Sequence, residues 1–175
     1  MAGIVIRPRA RILHGHDWVY SSEVLKVVGT PADGDVVSLK DGRDKMLGSA
    51  IYNSKSQIVA RRFSRRRQDL DTDFFARRIA QAAEWRERAG CNPQLCRLVW
   101  SEADGVPGVI VDGTDLLAVL HTVTVAMDEG KKLIGEVSKV VRGIANGREG
   151  NDVKMWKWVR SYCGMGTFVG GDSVQ

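Results

Sequence analysis

The sequence predicts an α+β fold: a basic, β-rich N-terminal barrel, one long helix, and a second small unit in which strands precede a helix. Three observations predict it. Three or four short alternating segments fall within about 65 residues, separated by turn residues, which favours a small barrel over a βαβ unit. Residues 71–90 then switch to a helical period. Residues 97–141 return to strand-like runs and close on a second helical period.

Residues 4–7 open the chain as a short strand, and Gly15 with its polar neighbours predicts a turn or very short helix leading into an extended Trp18-Val19-Tyr20. Pro31, Asp33, Gly34 and Asp35 mark a turn before a strand at 36–39, and Asp41-Gly42 carries a hairpin turn signal. Residues 46–52 and 57–63 alternate as strands. Asp71 or Thr72 can cap the helix that follows, Asp73 suits its positive end, and Gly90 can close it. Phe75, Ile79, Ala82 and Ala83 share one of its faces, with Phe74 at the border. Beyond it, 97–105 reads as strand and turn, 106–113 and 114–125 as strands, and 127–141 as a helix through Leu133, Ile134, Val137 and Val141. Residues 143–152 read as a loop, 154–162 carries a weak strand signal, and the Gly-rich end reads as flexible.

The 175 residues suffice for one domain or two small ones. No apolar run approaches the roughly 20 residues that span a bilayer, and the N-terminus lacks a signal-peptide pattern. Cys91, Cys96 and Cys163 are too few for a disulfide framework, so a reducing cytoplasm is expected. The net charge of +5 is unevenly spread. Residues 1–67 hold 13 Lys/Arg against 6 Asp/Glu, whereas residues 68–150 hold 10 against 13. A folded unit with the first balance attracts polyanions; a basic surface that serves only solubility is the plainer alternative.

Several segments resemble one known family in order. Arg11–Val24, with Gly15-His16-Asp17-Trp18-Val19-Tyr20-Ser21, resembles the start of the large-subunit (23S) ribosomal RNA cytosine-5 methyltransferase I family. Residues 31–42 resemble its Pro-Gly-Asp-x-Val turn, with Asp33 replacing a Pro. Residues 47–65 resemble its Gly-x-Gly-x-Tyr-Asn-x-x-Ser-x-Ile-x-x-Arg signature, with Ser49-Ala50 at the second Gly-rich step, and 100–112 resemble its Glu-x-Asp-Gly-x-Pro-Gly-Leu-Ile-Val-Asp segment. The match covers about residues 5–142, and the last two motifs are the specific ones. The resemblance implies a PUA-like pseudo-barrel that binds structured RNA at 1–67, a connecting helix at 68–90, a small α+β domain at 91–145, and an irregular tail at 146–175 where a class I S-adenosylmethionine-dependent catalytic domain would begin. It therefore implies that this chain lacks that domain, holds no S-adenosylmethionine itself, and is inactive alone.

The expected RNA-binding set is Arg7, Arg9, Arg11, His14 and His16 at the start of the barrel, with Arg61, Arg62, Arg65, Arg66 and Arg67 at its end. Guanidinium groups suit phosphate oxygens, and such contacts orient RNA without choosing sequence. The run at 64–67 also reads as a solvated linker. Trp18 can stack on a base but is expected in the core, and His16 serves a local turn as readily as RNA.

No catalytic or metal set is expected. Glu102, Asp104 and Asp112 have no neighbouring His or Cys and read as turn residues. Cys91-x4-Cys96 lacks a second pair for zinc. Gly164–Gly171 is glycine-rich but does not open a helix with an acidic residue some 20 positions on, and Cys163 has no activating neighbour. Two other function classes stay open: a dimerising scaffold using the exposed strands of 97–125, and an enzyme subunit whose donor site a partner chain completes.

Overall fold

The computed structural model describes residues 2–92, 96–113, 118–141, 158–160 and 166–169. Residues 1–70 and 71–175 form two compact units.

The first unit is a curled six-stranded sheet. Its strands are β1 (Gly3–Ile6), β2 (Trp18–Tyr20), β3 (Val24–Val28), β4 (Val36–Lys40), β5 (Met46–Tyr52) and β6 (Ile58–Ser64). They lie in the order β2-β6-β5-β4-β1-β3, antiparallel except for the β1–β4 pair. The half-barrel is filled by Ile4, Ile6, Ile12, Val19, Val37, Leu39, Ala50, Val59 and Ala60. The β4–β5 hairpin differs from a Gly-centred turn. Asp41 accepts from the Arg43 and Lys45 amides at 2.8 and 2.9 Å, and Asp44, not Gly42, takes the positive φ. Gly48 has a positive φ of 132° where β5 passes close to β6; a Cβ there would lie 2.0 Å from the Ser64 carbonyl oxygen.

The strand β3 has no counterpart among the sequence expectations. Its residues alternate poorly and four of the five are exposed, because it is a terminal strand with little core to cover. A short edge strand held by backbone pairing to β1 leaves no periodic imprint on the sequence.

The second unit pairs a sheet with helices. Helix α1 (Thr72–Arg88) begins where the Asp71 carboxylate accepts from the Phe74 amide at 2.7 Å and ends before Gly90, whose φ is +68°. Its buried face is Phe74, Phe75, Ile79 and Ala82. The helix packs on β7 (Cys96–Trp100) and on α3 (Lys131–Val141), so it belongs to this unit's core. The sheet continues through β8 (Val109–Gly113) and β9 (Ala118–Thr122) to β11 (Gly166–Val169) and β10 (Trp158–Arg160), all antiparallel.

One expectation is corrected here. The single helix at 127–141 is two, α2 (Val125–Glu129) and α3, broken at Gly130. Ile134 and Val137 are buried as the periodicity requires. In the final stretch, residues 158–160, within the weak strand signal at 154–162, pair with β11, and residues 166–169 pair with β9. Their conformation is set by the ladder, not by local residue preference. No helix among the described residues is long and apolar enough to cross a membrane.

Candidate nucleic-acid interface

The candidate interface is built on the strand that starts the barrel's order, β2, and the turn before it. Residues Arg11–His14 form one 3₁₀ turn, ended by Gly15 at φ +100°. The Glu23 carboxylate secures it, accepting from the Arg11 amide at 3.0 Å and the Tyr20 amide at 2.9 Å. This places the Arg11 guanidinium 4.4 Å from the centre of the Tyr20 ring, with its Nε 3.7 Å from Glu23 Oε1. Alternation along β2 turns Val19 inward, fully buried, and leaves Trp18 and Tyr20 half-buried on the other side. The expectation that Trp18 is core is therefore not met. On β2 the inward place is taken by Val19, and alternation turns Trp18 to the other face. Arg61 is the cross-strand partner of Trp18 and lies 5.0 Å from its ring centre.

The ten expected residues divide into groups. Arg7, Arg9, Arg11, His14, His16, Arg65, Arg66 and Arg67 are exposed, and Arg61 is half-buried against Trp18. Arg7 is tied at its Nε to the Val24 carbonyl at 3.1 Å. Arg9 sits at φ +74°, a left-handed conformation that disfavours a side chain. Arg62 stands apart. Its side chain is 6% exposed and donates to Asp17 from Nε at 2.8 Å and from the neighbouring nitrogen at 2.7 Å, with weaker bonds to the His16 and Leu47 carbonyls. It is a structural arginine that pins the loop before β2 to β5 and β6, and it is removed from the expected contact set. The signal was present in the sequence: on a strand, adjacent Arg61 and Arg62 must face opposite ways.

The antiparallel register brings the His14–Asp17 loop to the end of the sheet at which β6 leaves it. Trp18 pairs with Arg61, and the Arg62 amide donates to the Asp17 carbonyl at 2.7 Å. As β6 runs on through Ser64 it passes the level at which β2 begins, where the His14–Asp17 loop lies. Arg65–Arg67 continue from that end.

The acidic residues of the second unit are structural. Asp104 receives two bonds from Arg86 at 2.6 and 2.7 Å and one from the Trp100 amide at 2.6 Å. Asp112 pairs with Arg97 at 2.6 Å, a bond that raises the arginine above its usual range, and Arg97 also covers the Trp100 ring at 4.1 Å. Glu102 accepts from the Ser101 hydroxyl. Among the described residues no group of His, Cys, Asp and Glu could hold a metal ion. The described part of the glycine-rich 164–171 stretch is β11, a strand. Cys163 lies outside the described residues.

Residues 7–65 match the family model described as a PUA-like domain. Over 115 residues the chain is 34% identical to ribosomal RNA large subunit methyltransferase I of Yersinia pseudotuberculosis serotype O:1b (strain IP 31758), and equally to that of Yersinia pestis. That stretch is 63% of this chain and 28% of each relative, so the match spans under a third of the relatives' length. Among solved structures, a candidate SAM-dependent methyltransferase from Streptococcus mutans superposes with a TM-score of 0.76 at 15% identity, over 100% of this chain and 44% of that one. A candidate methyltransferase complexed with SAH gives 0.71 at 15% identity, over 99% and 49%. At that identity the likeness is one of fold.

Proposed function

We propose that the first unit binds structured ribosomal RNA, and that the chain is the RNA-holding portion of a protein akin to the S-adenosylmethionine-dependent 23S ribosomal RNA cytosine-5 methyltransferases. In this reading the described residues bind RNA, and methyl transfer, with its donor, is the work of other residues. The observation that carries it is the set of exposed arginines, Arg9, Arg11 and Arg65–Arg67, on a PUA-like unit. Each can neutralise a phosphate and release its counterions, so affinity falls steeply with salt. Arg7, His14 and His16 are exposed on the same unit. Such contacts fix orientation and leave sequence choice to other groups.

The test is an anisotropy titration of the full chain with a labelled structured fragment of large-subunit ribosomal RNA across a salt series. Binding that weakens linearly in log–log form is expected. Reversing Arg65, Arg66 and Arg67 to Glu should weaken binding to every RNA tried. It should also flatten the salt slope by roughly one unit for each phosphate that is no longer neutralised. No binding at low salt overturns the reading.

A further inference from the structure

We propose that the β2 face holds an unpaired nucleotide, with Trp18 and Tyr20 as stacking rings and Arg61 and Arg11 as the cations beside them. The inference rests on the RNA-binding reading above and narrows its substrate from structured RNA to RNA carrying a bulge or loop at the contact.

Four observations support it. Trp18 and Tyr20 are two apart on one strand, so both leave the same face while Val19 fills the core. Each ring has a guanidinium over it, at 5.0 Å for Arg61 on Trp18 and 4.4 Å for Arg11 on Tyr20. The two cations come from different elements, β6 and the 3₁₀ turn, so the arrangement is not an accident of one strand's spacing. Finally, β2 ends the sheet order, and no described strand pairs along its other side.

Arginines alone would serve a duplex as well as a loop, since phosphates are common to both. Rings have value only where a base face is open. In a duplex both faces of every base are covered by its neighbours, and the deep groove of A-form RNA excludes side chains. An unpaired base can stack on an indole or phenol, or on the plane of a guanidinium, while the same arginine reaches the adjoining phosphate. Arg11 suits this role because Glu23 holds its backbone amide and partly steadies its head group. Tyr20 is anchored through its own amide to the same carboxylate, so ring and cation are set by one residue.

The experiment compares two labelled probes against the full chain: a blunt RNA duplex, and the same duplex interrupted by a bulge of unpaired adenosines. Preference for the bulged probe by roughly fivefold or more is expected from one stacked base. Trp18→Leu and Tyr20→Leu should each remove the preference while leaving duplex binding, and Tyr20→Phe should retain it. Because Trp18→Leu risks the fold, a second measurement uses the unaltered protein: 4-thiouridine in the bulge, photocrosslinked and mapped by mass spectrometry, should mark residues 12–26 at Trp18 or Tyr20. Equal affinity for both probes, or crosslinks found only around Arg65–Arg67, overturns this inference and leaves the broader reading standing. Absence of binding to either probe overturns both.

Discussion

The two units use the same charged residues in opposite ways. In the first, carboxylates are committed mostly to backbone amides. Asp33 accepts from Ser54, Asp35 from Ala32, Asp41 from Arg43 and Lys45, and Glu23 from Arg11 and Tyr20. In the second, carboxylates are committed mostly to arginines and lysines: Asp104 to Arg86, Asp112 to Arg97, Glu84 to Arg88, Asp128 to Lys131. The difference explains how the excess of 13 cations over 6 anions in residues 1–67 becomes a usable surface. An acid that caps a turn still contributes its charge, but its hydrogen bonds go to backbone amides and not to a guanidinium. A positive surface depends on where the acids are placed as much as on how many arginines there are.

The largest effect should come from breaking the second unit's most buried pair. The side chains of Arg86 and Asp104 are 18% and 11% exposed, and their bond is bidentate. Arg86→Met takes both guanidinium bonds from the Asp104 carboxylate and leaves it the Trp100 amide, and removal of one partner of a buried pair costs about 3–5 kcal/mol. Amide hydrogen exchange should show β7 and β8 losing protection while β4 and β5 keep theirs. Equal loss in both sheets would contradict the division into separate units. The matching change in the first unit, Arg62→Met, should cost less, about 1–3 kcal/mol, because Asp17 is 44% exposed and water can replace its partner. Denaturant titration of the two variants side by side ranks them; a larger loss from Arg62→Met would reverse the argument.

Arg62 also shows how far a sequence can be read. The barrel, the capped helix at 72–88 and the strand-then-helix order of the second unit are legible because each carries a periodic apolar face or a turn residue with its own chemistry. The basic cluster is legible as composition. Its division is legible only in part: alternation turns adjacent arginines opposite ways, but does not tell which of them meets a carboxylate. Asp17, whose carboxylate makes the distinction, lies 45 positions away. β3 is hidden for a related reason: an edge strand is defined by its partner's backbone, which leaves no mark on its own residues. Trp18 is misplaced when a run of large residues is treated as one block, because strand alternation divides it.

A smaller effect tests whether the first unit's exposed arginines matter to folding at all. Arg11→Gln removes a guanidinium whose side chain is 58% exposed and whose ion pair with Glu23 is long at 3.7 Å. Surface pairs of this kind contribute about 0–1 kcal/mol, so the denaturation midpoint should barely move. RNA affinity should fall nonetheless, with the log–log salt slope reduced by roughly one unit. A variant that loses stability and keeps its salt slope would place Arg11 with Arg62 among the structural residues.

The smallest effect concerns a carboxylate committed to the backbone. Asp33 accepts from the Ser54 amide at 2.6 Å, with Lys55 at 3.8 Å, and these hold its carboxyl below the usual aspartate range, the amide bond foremost. In the unfolded chain the same group takes up its proton at the ordinary value, near 3.9. The unfolded state therefore binds the proton first as pH falls. The contribution to stability is fully present above the ordinary value and is lost as pH drops through the lowered, folded one. Asp33→Asn keeps an oxygen that can accept from Ser54 and removes the titration. Its denaturation midpoint should lie slightly below that of the unaltered protein at neutral pH, and the two should converge below about pH 4. Parallel curves across that window would mean that the Asp33 charge adds nothing to the turn, and that the first unit's acids are placed by shape alone.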